Sequence, residues 1–246
     1  MRARLEVCID SADGAAAAEA GGAGAVELCA ALVEGGITPS LGLVRATRAA
    51  CDIELNVMVR PRGGDFVYDR RELEAMHHDV AAFREAGADG VVLGVLRPDG
   101  TVDEERVADL VAAARPLRVT FHRAFDMTRD PRAALETLIE LGVDRVLSSG
   151  QEASAPAGVR LLTELVEQAG ERVVVMPGCG LRPANLVAVL DATAAREVHA
   201  TAFELQDSPM AFRNERVAMG DEDQDEFARA RTSVERVRQL VAALGD

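Results

Sequence analysis

The segment NVMVRPRGGDFVY, residues 56–68, joins a strand pattern to side chains that can bind an anion. Strand side chains alternate between two faces, so Arg60 should leave the strand on its polar face. The two glycines that follow permit a close turn, and Arg62 and Asp65 place opposite charges on it. We therefore predict a ligand-facing loop. The alternative is an ordinary surface turn with solvated arginines, because charged residues are common in turns.

Two earlier strands, LEVCI and AVELC, also carry polar residues at alternate positions. Their valine, isoleucine and leucine side chains should pack against helices, so the residues between them point inward. These inward residues are Glu6, Cys8, Glu27 and Cys29. Each buried ion without a partner costs several kcal/mol, so the group must be neutralised or must hold a ligand. The first possibility is a salt-bridged centre, with Glu6 and Glu27 against Arg60.

The predicted strand VTFH ends in a histidine that lies close to a carboxylate in the sequence. His122 precedes Arg123 and Asp126. A histidine beside a carboxylate can act as a general acid or base, although a lone histidine is about as often a hydrogen-bonded core residue. The predicted acid–base residues are Glu6, Glu27, His122 and Asp126.

Small-residue turns follow the sixth and seventh predicted strands, with the sequences SSG and PGCG. Backbone N–H groups in such turns can cradle an anion, although neither turn matches a Walker or Rossmann pattern. Strand EVHAT adds His199 to the inward face. The predicted substrate-binding residues are Arg60, Arg62, Asp65, Arg123, Ser149, Gly178, Gly180 and His199.

Short apolar strands alternate with helices about eight times along the chain, and the connections are too long for hairpins. This pattern, in 246 residues, favours a single (β/α)8 TIM barrel over residues 1–246. Active sites in this fold lie at the C-terminal ends of the strands, where the polar residues above should meet. The acidic run at 221–226 should be a loop or the solvated start of a helix.

Charge and cysteine content exclude several classes of function. The net charge of −14 argues against nucleic acid and anionic membranes as partners. The chain contains no lysine, which excludes Schiff-base catalysis by a lysine amine. The four cysteines form no CxxC motif, and the sequence shows neither a leader nor a long apolar span. We expect a reduced cytoplasmic protein. We also expect a homo-oligomer that binds a small ligand or a metal ion.

Several long strings together resemble the CutC family over roughly Leu5 to Thr201: LEVCIDS, AVELCAALVEGGITPSLGL, VMVRPRGGDFVY, VTFHRAFDM, LGVDRVLSSG and VVMPGCGLRPAN. The resemblance implies a TIM-barrel fold, a role in copper homeostasis in the cytoplasm, and Cu(I) binding at Cys8 and Cys29. Cu(I) prefers soft sulfur ligands, and Met58 and Met176 would be further donors on the inward face.

Two hypotheses follow. In the first, the protein binds Cu(I) through Cys8 and Cys29. In the second, it is an isomerase, epimerase or lyase that acts on a small anionic, sugar-like substrate at the C-terminal mouth of the barrel. The second rests on opposed charges that converge on one pocket, as proton transfer requires.

Overall fold

The computed structural model describes residues 3–214, 216–217, 225 and 227–245. Eight parallel strands alternate with eight helices. The strands are β1 (Arg4–Ile9), β2 (Ala25–Leu28), β3 (Glu54–Met58), β4 (Gly90–Leu93), β5 (Arg118–Phe121), β6 (Arg145–Ser148), β7 (Val174–Pro177) and β8 (Glu197–Thr201). The helices are α1 (Ala12–Ala20), α2 (Leu41–Ala50), α3 (Arg70–Glu85), α4 (Glu104–Ala114), α5 (Pro131–Glu140), α6 (Val159–Ala169), α7 (Pro183–Thr193) and α8 (Val234–Ala243).

The strands form one sheet in the order β7-β6-β5-β4-β3-β2-β1-β8. A parallel bridge between Gly178 and His199 joins the two ends of the sheet and closes the ring. The predicted (β/α)8 TIM-barrel fold is therefore confirmed. None of the helices in the described part of the chain has the length and apolarity needed to cross a bilayer.

Local sequence explains where several helices begin. Asp69 accepts hydrogen bonds from the first N–H groups of α3, and Glu72 bonds back to the Asp69 backbone in a capping box. Asp130 caps α5, and the first residue of this helix is proline, as predicted. Proline suits this position because the first N–H group of a helix has no partner within the helix. Carboxylates at these positions also stabilise the helices, because they interact favourably with the positive end of the helix dipole.

The apolar core lies between the strands and the surrounding helices. Val7, Val26 and Val57 face outward from the ring and are fully buried in this layer. Their neighbours along each strand point into the barrel, as the alternation of strand side chains requires. Cys8, Cys29 and Met58 accordingly form a separate small cluster inside the barrel with Val92. The inward faces predicted from the sequence are confirmed at these positions.

An antiparallel hairpin between β8 and α8 was not expected from the sequence. It pairs β9 (Phe203–Asp207) with β10 (Ala228–Thr232). Both strands alternate apolar and polar residues, with the sequences FELQD and ARART, so a short strand signal was available; both strands are largely exposed. Of the acidic run at 221–226, only residue 225 is among the described residues, so its predicted loop or helix start lies outside them.

Candidate functional site

A buried cluster of three potential metal ligands lies inside the barrel near the C-terminal ends of β1, β2 and β8. These strands are neighbours, and the register pairs Cys8 with Glu27 and with Thr201. One ligand atom each from Cys8, Glu27 and His199 lies within 4.8 Å of the others. All three residues are buried. Strand alternation therefore brings together, in space, residues that are up to 191 positions apart in the chain.

Glu27 is held by a charged contact on one of its two oxygens. Its Oε2 atom lies 2.9 Å from Nε2 of His199 and accepts a hydrogen bond from the Cys29 thiol at 3.6 Å. Burial is the largest effect and disfavours the imidazolium, but the Glu27 carboxylate and the Cys8 sulfur together outweigh it and raise the pKa of His199 well above its usual range. A protonated His199 is therefore paired with an ionised Glu27.

The two thiols of the cluster differ in acidity. Hydrogen bonding with the Cys29 thiol lowers the pKa of Cys8, against the opposing effect of burial. The same contact, together with burial, raises the pKa of Cys29 well above its usual value. Cys8 is thus the sulfur that loses its proton first, and a thiolate is the form that binds metal.

His122 presents an unpartnered nitrogen beside this cluster. Its Nδ1 atom accepts the backbone N–H of Ala124 at 3.1 Å, whereas its Nε2 atom is buried and has no hydrogen-bond partner among the described residues. Burial, with the nearby Arg60 charge, lowers the pKa of His122 to about 4. The ring is therefore neutral near pH 7, and its proton must sit on Nε2, because Nδ1 is the acceptor.

Arg60 is fixed by backbone carbonyls. Its terminal nitrogens donate to the carbonyl oxygens of Glu34 at 2.6 Å, Gly36 at 2.9 Å and Gly64 at 2.8 Å. The guanidinium also stacks over the ring of Phe66, with 5.1 Å to its centroid. Only Nε is left, and it is buried with no partner in the described part of the chain. The predicted ligand-binding arginine thus mainly joins two loops at the mouth.

A cavity of about 290 Å³ opens on these groups at the C-terminal end of the barrel. Cys8, Glu27, His122, His199 and Arg60 line its polar side. Its apolar side is formed by Met58, Phe66, Met127 and Leu147. Buried polar groups against an apolar wall are typical of small-molecule sites.

Glu6 lies in a different layer, at the closed N-terminal end of the barrel. Its Oε2 atom accepts hydrogen bonds from Arg145 at 3.0 Å and from Asn56 at 2.7 Å. The proposed salt-bridged centre of Glu6 and Glu27 against Arg60 is therefore wrong. Each of the three has a different partner, because Glu6 and Glu27 occupy different levels of the barrel. Glu6 is not among the residues that line the mouth cavity.

Asp126 and its neighbours form a closed hydrogen-bonded loop. Its oxygens accept from Ser148 Oγ at 2.6 Å, from Ser149 N at 3.0 Å and from Arg123 Nε at 2.8 Å. Asp126 and Arg123 line the cavity, but these contacts favour a role in positioning the loop. The catalytic role of Asp126 and the binding roles of Arg123 and Ser149 stay predictions.

Several N–H groups of the predicted anion cradle are bonded within the fold, and the binding roles of Gly178 and Gly180 stay predictions. The N–H of Ser149 donates to Asp126, and that of Gly178 donates to the Ser148 carbonyl at 2.9 Å. Gly178 instead provides space, since a Cβ there would lie 3.2 Å from the Cβ of His199 and 2.5 Å from Leu147. Gly180 lines a separate surface groove beside α7 and α8.

The second half of the arginine-rich loop turns away from the cavity. Arg62 contacts Glu72 at 2.6 Å and Asp65 at 3.2 Å. Its guanidinium stacks on Tyr68, with 5.1 Å to the ring centroid. Neither Arg62 nor Asp65 is among the residues that line the mouth cavity. For this half of the loop, the alternative of a structural surface turn describes the contacts better.

Two residues at the site were missed by the sequence analysis. The Phe66 ring centroid lies 5.0 Å from that of His122, and the Arg60 guanidinium lies over the Phe66 ring at 5.1 Å. Gly94 allows the ring to fit, because a Cβ there would lie 2.6 Å from a His122 ring carbon. The aromatic residue in RGGDFVY and the glycine at the end of VVLG were the available signals.

The fold and the site define a class: a (β/α)8 barrel whose mouth holds a buried cluster of cysteine, histidine and glutamate. Comparison with known proteins makes this specific. The CutC family model matches residues 3–204. The chain therefore belongs to the CutC family.

Individual relatives cover nearly the whole chain. The copper homeostasis protein cutC homolog of Mus musculus is 49% identical over 243 residues, which span 98% of this chain and 89% of that protein. A family protein CutC from Mesorhizobium japonicum is 50% identical over 240 residues, or 97% of this chain and 93% of that protein. The solved structure of a CutC protein from Streptococcus agalactiae superposes with a TM-score of 0.77 at 30% identity, covering 81% of this chain and 98% of that one.

Proposed function

We propose that this protein binds Cu(I) at the mouth of the barrel and acts in copper homeostasis, as the names of its relatives suggest. The observation that carries the proposal is the buried cluster of Cys8, Glu27 and His199, with their ligand atoms within 4.8 Å of one another. Cys29 and Met58 pack beside Cys8 and add two further sulfur atoms.

The donor set fits a soft metal ion. Cu(I) prefers thiolate, thioether and imidazole ligands over carboxylate oxygens. Cys8 and Cys29 supply thiols, and the lowered pKa of Cys8 favours the thiolate that a metal requires. Glu27 serves as an outer partner of His199, since its Oε2 already contacts Nε2 of that ring. His199 must release its proton before it can ligate, so Cu(I) affinity should rise with pH.

A competition titration against a chromogenic Cu(I) chelator tests the proposal. We expect one Cu(I) per chain in the wild type and a loss of at least about 100-fold in affinity in the Cys8→Ser, Cys29→Ser double variant, because both soft ligands are removed. The matched control is Cys51→Ser, Cys179→Ser, which also removes two thiols but leaves the cluster intact. Equal affinity in the two double variants would rule out this site.

A second candidate function is supported by the polar side of the same cavity. Among the described residues, Glu27 Oε1 and the Nε2–H of His122 have no hydrogen-bond partner. A carboxylate and a neutral imidazole of this kind can transfer a proton next to a carbonyl group. Glu27 would take the proton from carbon and return it to the same or the adjacent carbon, while His122 donates a hydrogen bond to the enolate oxygen. This is the chemistry of an isomerase or epimerase.

We also propose a cytoplasmic location and a homo-oligomeric state. Four free cysteines are typical of a reducing compartment. Large apolar side chains around the hairpin, including Leu205 at 78% and Phe212 at 76% exposure, support association between copies. Sedimentation velocity should show a species larger than a monomer, and cell fractionation should recover the protein with cytoplasmic markers. A single monomeric species at all concentrations would contradict the assembly.

A further inference from the structure

Three polar atoms of the mouth cavity have no hydrogen-bond partner among the described residues: Glu27 Oε1, His122 Nε2 and Arg60 Nε. All three residues are buried and line the same cavity. A buried polar atom left unpaired costs free energy, so each such atom needs either a water or a ligand. Three of them around one cavity mark it as a place where a polar molecule binds.

The protonation of the three atoms specifies what that molecule must offer. Nδ1 of His122 is occupied as an acceptor, so its Nε2 is a donor. Arg60 Nε is always a donor. Oε2 of Glu27 is taken by Nε2 of His199 and by the Cys29 thiol, so Oε1 is the carboxyl oxygen left to accept. The ligand must therefore accept two hydrogen bonds and donate one.

These donors and acceptors are held rigidly. The Arg60 guanidinium is tied to three backbone carbonyls, and the Phe66 ring contacts both this guanidinium and the His122 ring. A rigid set of this kind selects a particular arrangement of ligand atoms.

The cavity limits the size of the ligand. Its volume of about 290 Å³ lies at the lower end of the range for small-molecule pockets, about 300–1,000 Å³. Met58, Phe66 and Leu147 contribute apolar side chains to its wall. The ligand is thus a small molecule with a short carbon skeleton beside its polar groups.

We propose that the mouth cavity binds a small α-hydroxycarboxylate. The two carboxylate oxygens accept hydrogen bonds from His122 Nε2–H and Arg60 Nε–H, and the hydroxyl group donates to Glu27 Oε1. This ligand class rests on the second candidate function and deepens it. It also makes the anionic group a carboxylate and not a phosphate, because the N–H groups of Ser149 and Gly178 that would cradle a phosphate are already bonded.

Isothermal titration of the wild type with two matched pairs of small anions tests the proposal. Lactate and propionate differ only in the hydroxyl group, and inorganic phosphate serves as the third probe. We expect lactate to bind at least about tenfold more tightly than propionate, since propionate leaves Glu27 Oε1 unpaired. Glycolate and acetate, the second pair, should show the same preference. Phosphate should bind more weakly than lactate.

Two variants assign the contacts. Glu27→Leu should remove the preference for lactate over propionate, because leucine offers no acceptor to the hydroxyl group. His122→Asn retains an acceptor for the Ala124 N–H but has no group at the Nε2 position, so both acids should bind at least about fivefold more weakly. His78→Asn, at an exposed helix position, is the control and should bind as the wild type does.

The proposal is overturned if lactate does not bind, if propionate binds as tightly as lactate, or if phosphate binds most tightly. Deuterium incorporation at the α-carbon of lactate in D₂O reports proton transfer separately. Binding without deuterium incorporation would leave the ligand assignment standing and remove the second candidate function. The Cu(I) titration is independent of both results.

Discussion

The two ends of the barrel interior both bury charged side chains, but they satisfy them in different ways. At the closed end, the fully buried Arg145 contacts Glu6 at 3.0 Å, Glu197 at 2.9 Å and Thr120 at 2.9 Å. At the mouth, Glu27 and His199 pair at 2.9 Å, while His122 and Arg60 have no carboxylate partner in hydrogen-bond or ion-pair contact among the described residues. At one end the charges are neutralised by opposite charges, and at the other, residues that line a cavity keep buried polar atoms without partners among the described residues.

This difference indicates that the closed end serves stability and the mouth serves ligand binding. Glu6 Oε1 and Asn56 Oδ1 at the closed end also lack partners in the described part of the chain, but both are acceptors within the layer around Arg145. At the mouth, donors and an acceptor face a space of about 290 Å³. An unpaired buried atom points to binding only where a ligand has room, so the cavity is what distinguishes the two ends.

The largest effect that we expect comes from breaking the closed end. Arg145→Met should lower the free energy of unfolding by about 3–5 kcal/mol, because it leaves Glu6 buried without its cation. Urea unfolding followed by circular dichroism measures this change. Arg172→Met, which breaks an exposed pair with Glu136, is the control and should have little effect. A loss no greater than that of the control would show that the closed-end charges are dispensable for stability.

A smaller effect on the free energy of unfolding should come from His122 at the mouth, and this effect should depend on pH. His122 has a pKa of about 4 in the folded protein and about 6.5 when unfolded. Between these values the unfolded chain binds more protons, so the free energy of unfolding should fall as pH is lowered from about 6.5 to about 4. At about 1.4 kcal/mol per pH unit, the contribution of His122 is about 3 kcal/mol at most.

The variant His122→Asn isolates this contribution. Its free energy of unfolding should depend less on pH than that of the wild type between about pH 4 and 6.5. His199 acts in another window, since its raised pKa gives stability that is present below about pH 6.5 and is lost as pH rises through the folded value. Parallel pH curves for the wild type and His122→Asn would contradict a buried, neutral His122.

The sequence predicted the barrel and the inward faces because both follow from strand periodicity. Alternation placed Cys8, Glu27 and His199 on one side, and the parallel fold brought their strands together. Neither step requires knowledge of which side chains finally touch.

The partners of those side chains could not be read from periodicity. Arg145 begins β6, yet its side chain crosses the barrel to Glu6 on β1, a contact between residues 139 positions apart. Arg60 was expected to bind a ligand or a carboxylate, but three carbonyls of nearby loops occupy its terminal nitrogens. Depth along the barrel and loop conformation determine these contacts, and neither leaves a residue pattern in the chain.

The most direct test of the account measures Cu(I) affinity and the free energy of unfolding on the same two variants. Arg145→Met should lose stability and keep wild-type affinity for Cu(I) under native conditions. The Cys8→Ser, Cys29→Ser variant should lose Cu(I) affinity and keep most of its stability. If the thiol variant bound Cu(I) as the wild type does, or if Arg145→Met lost Cu(I) binding while still folded, the division between the two ends would be wrong.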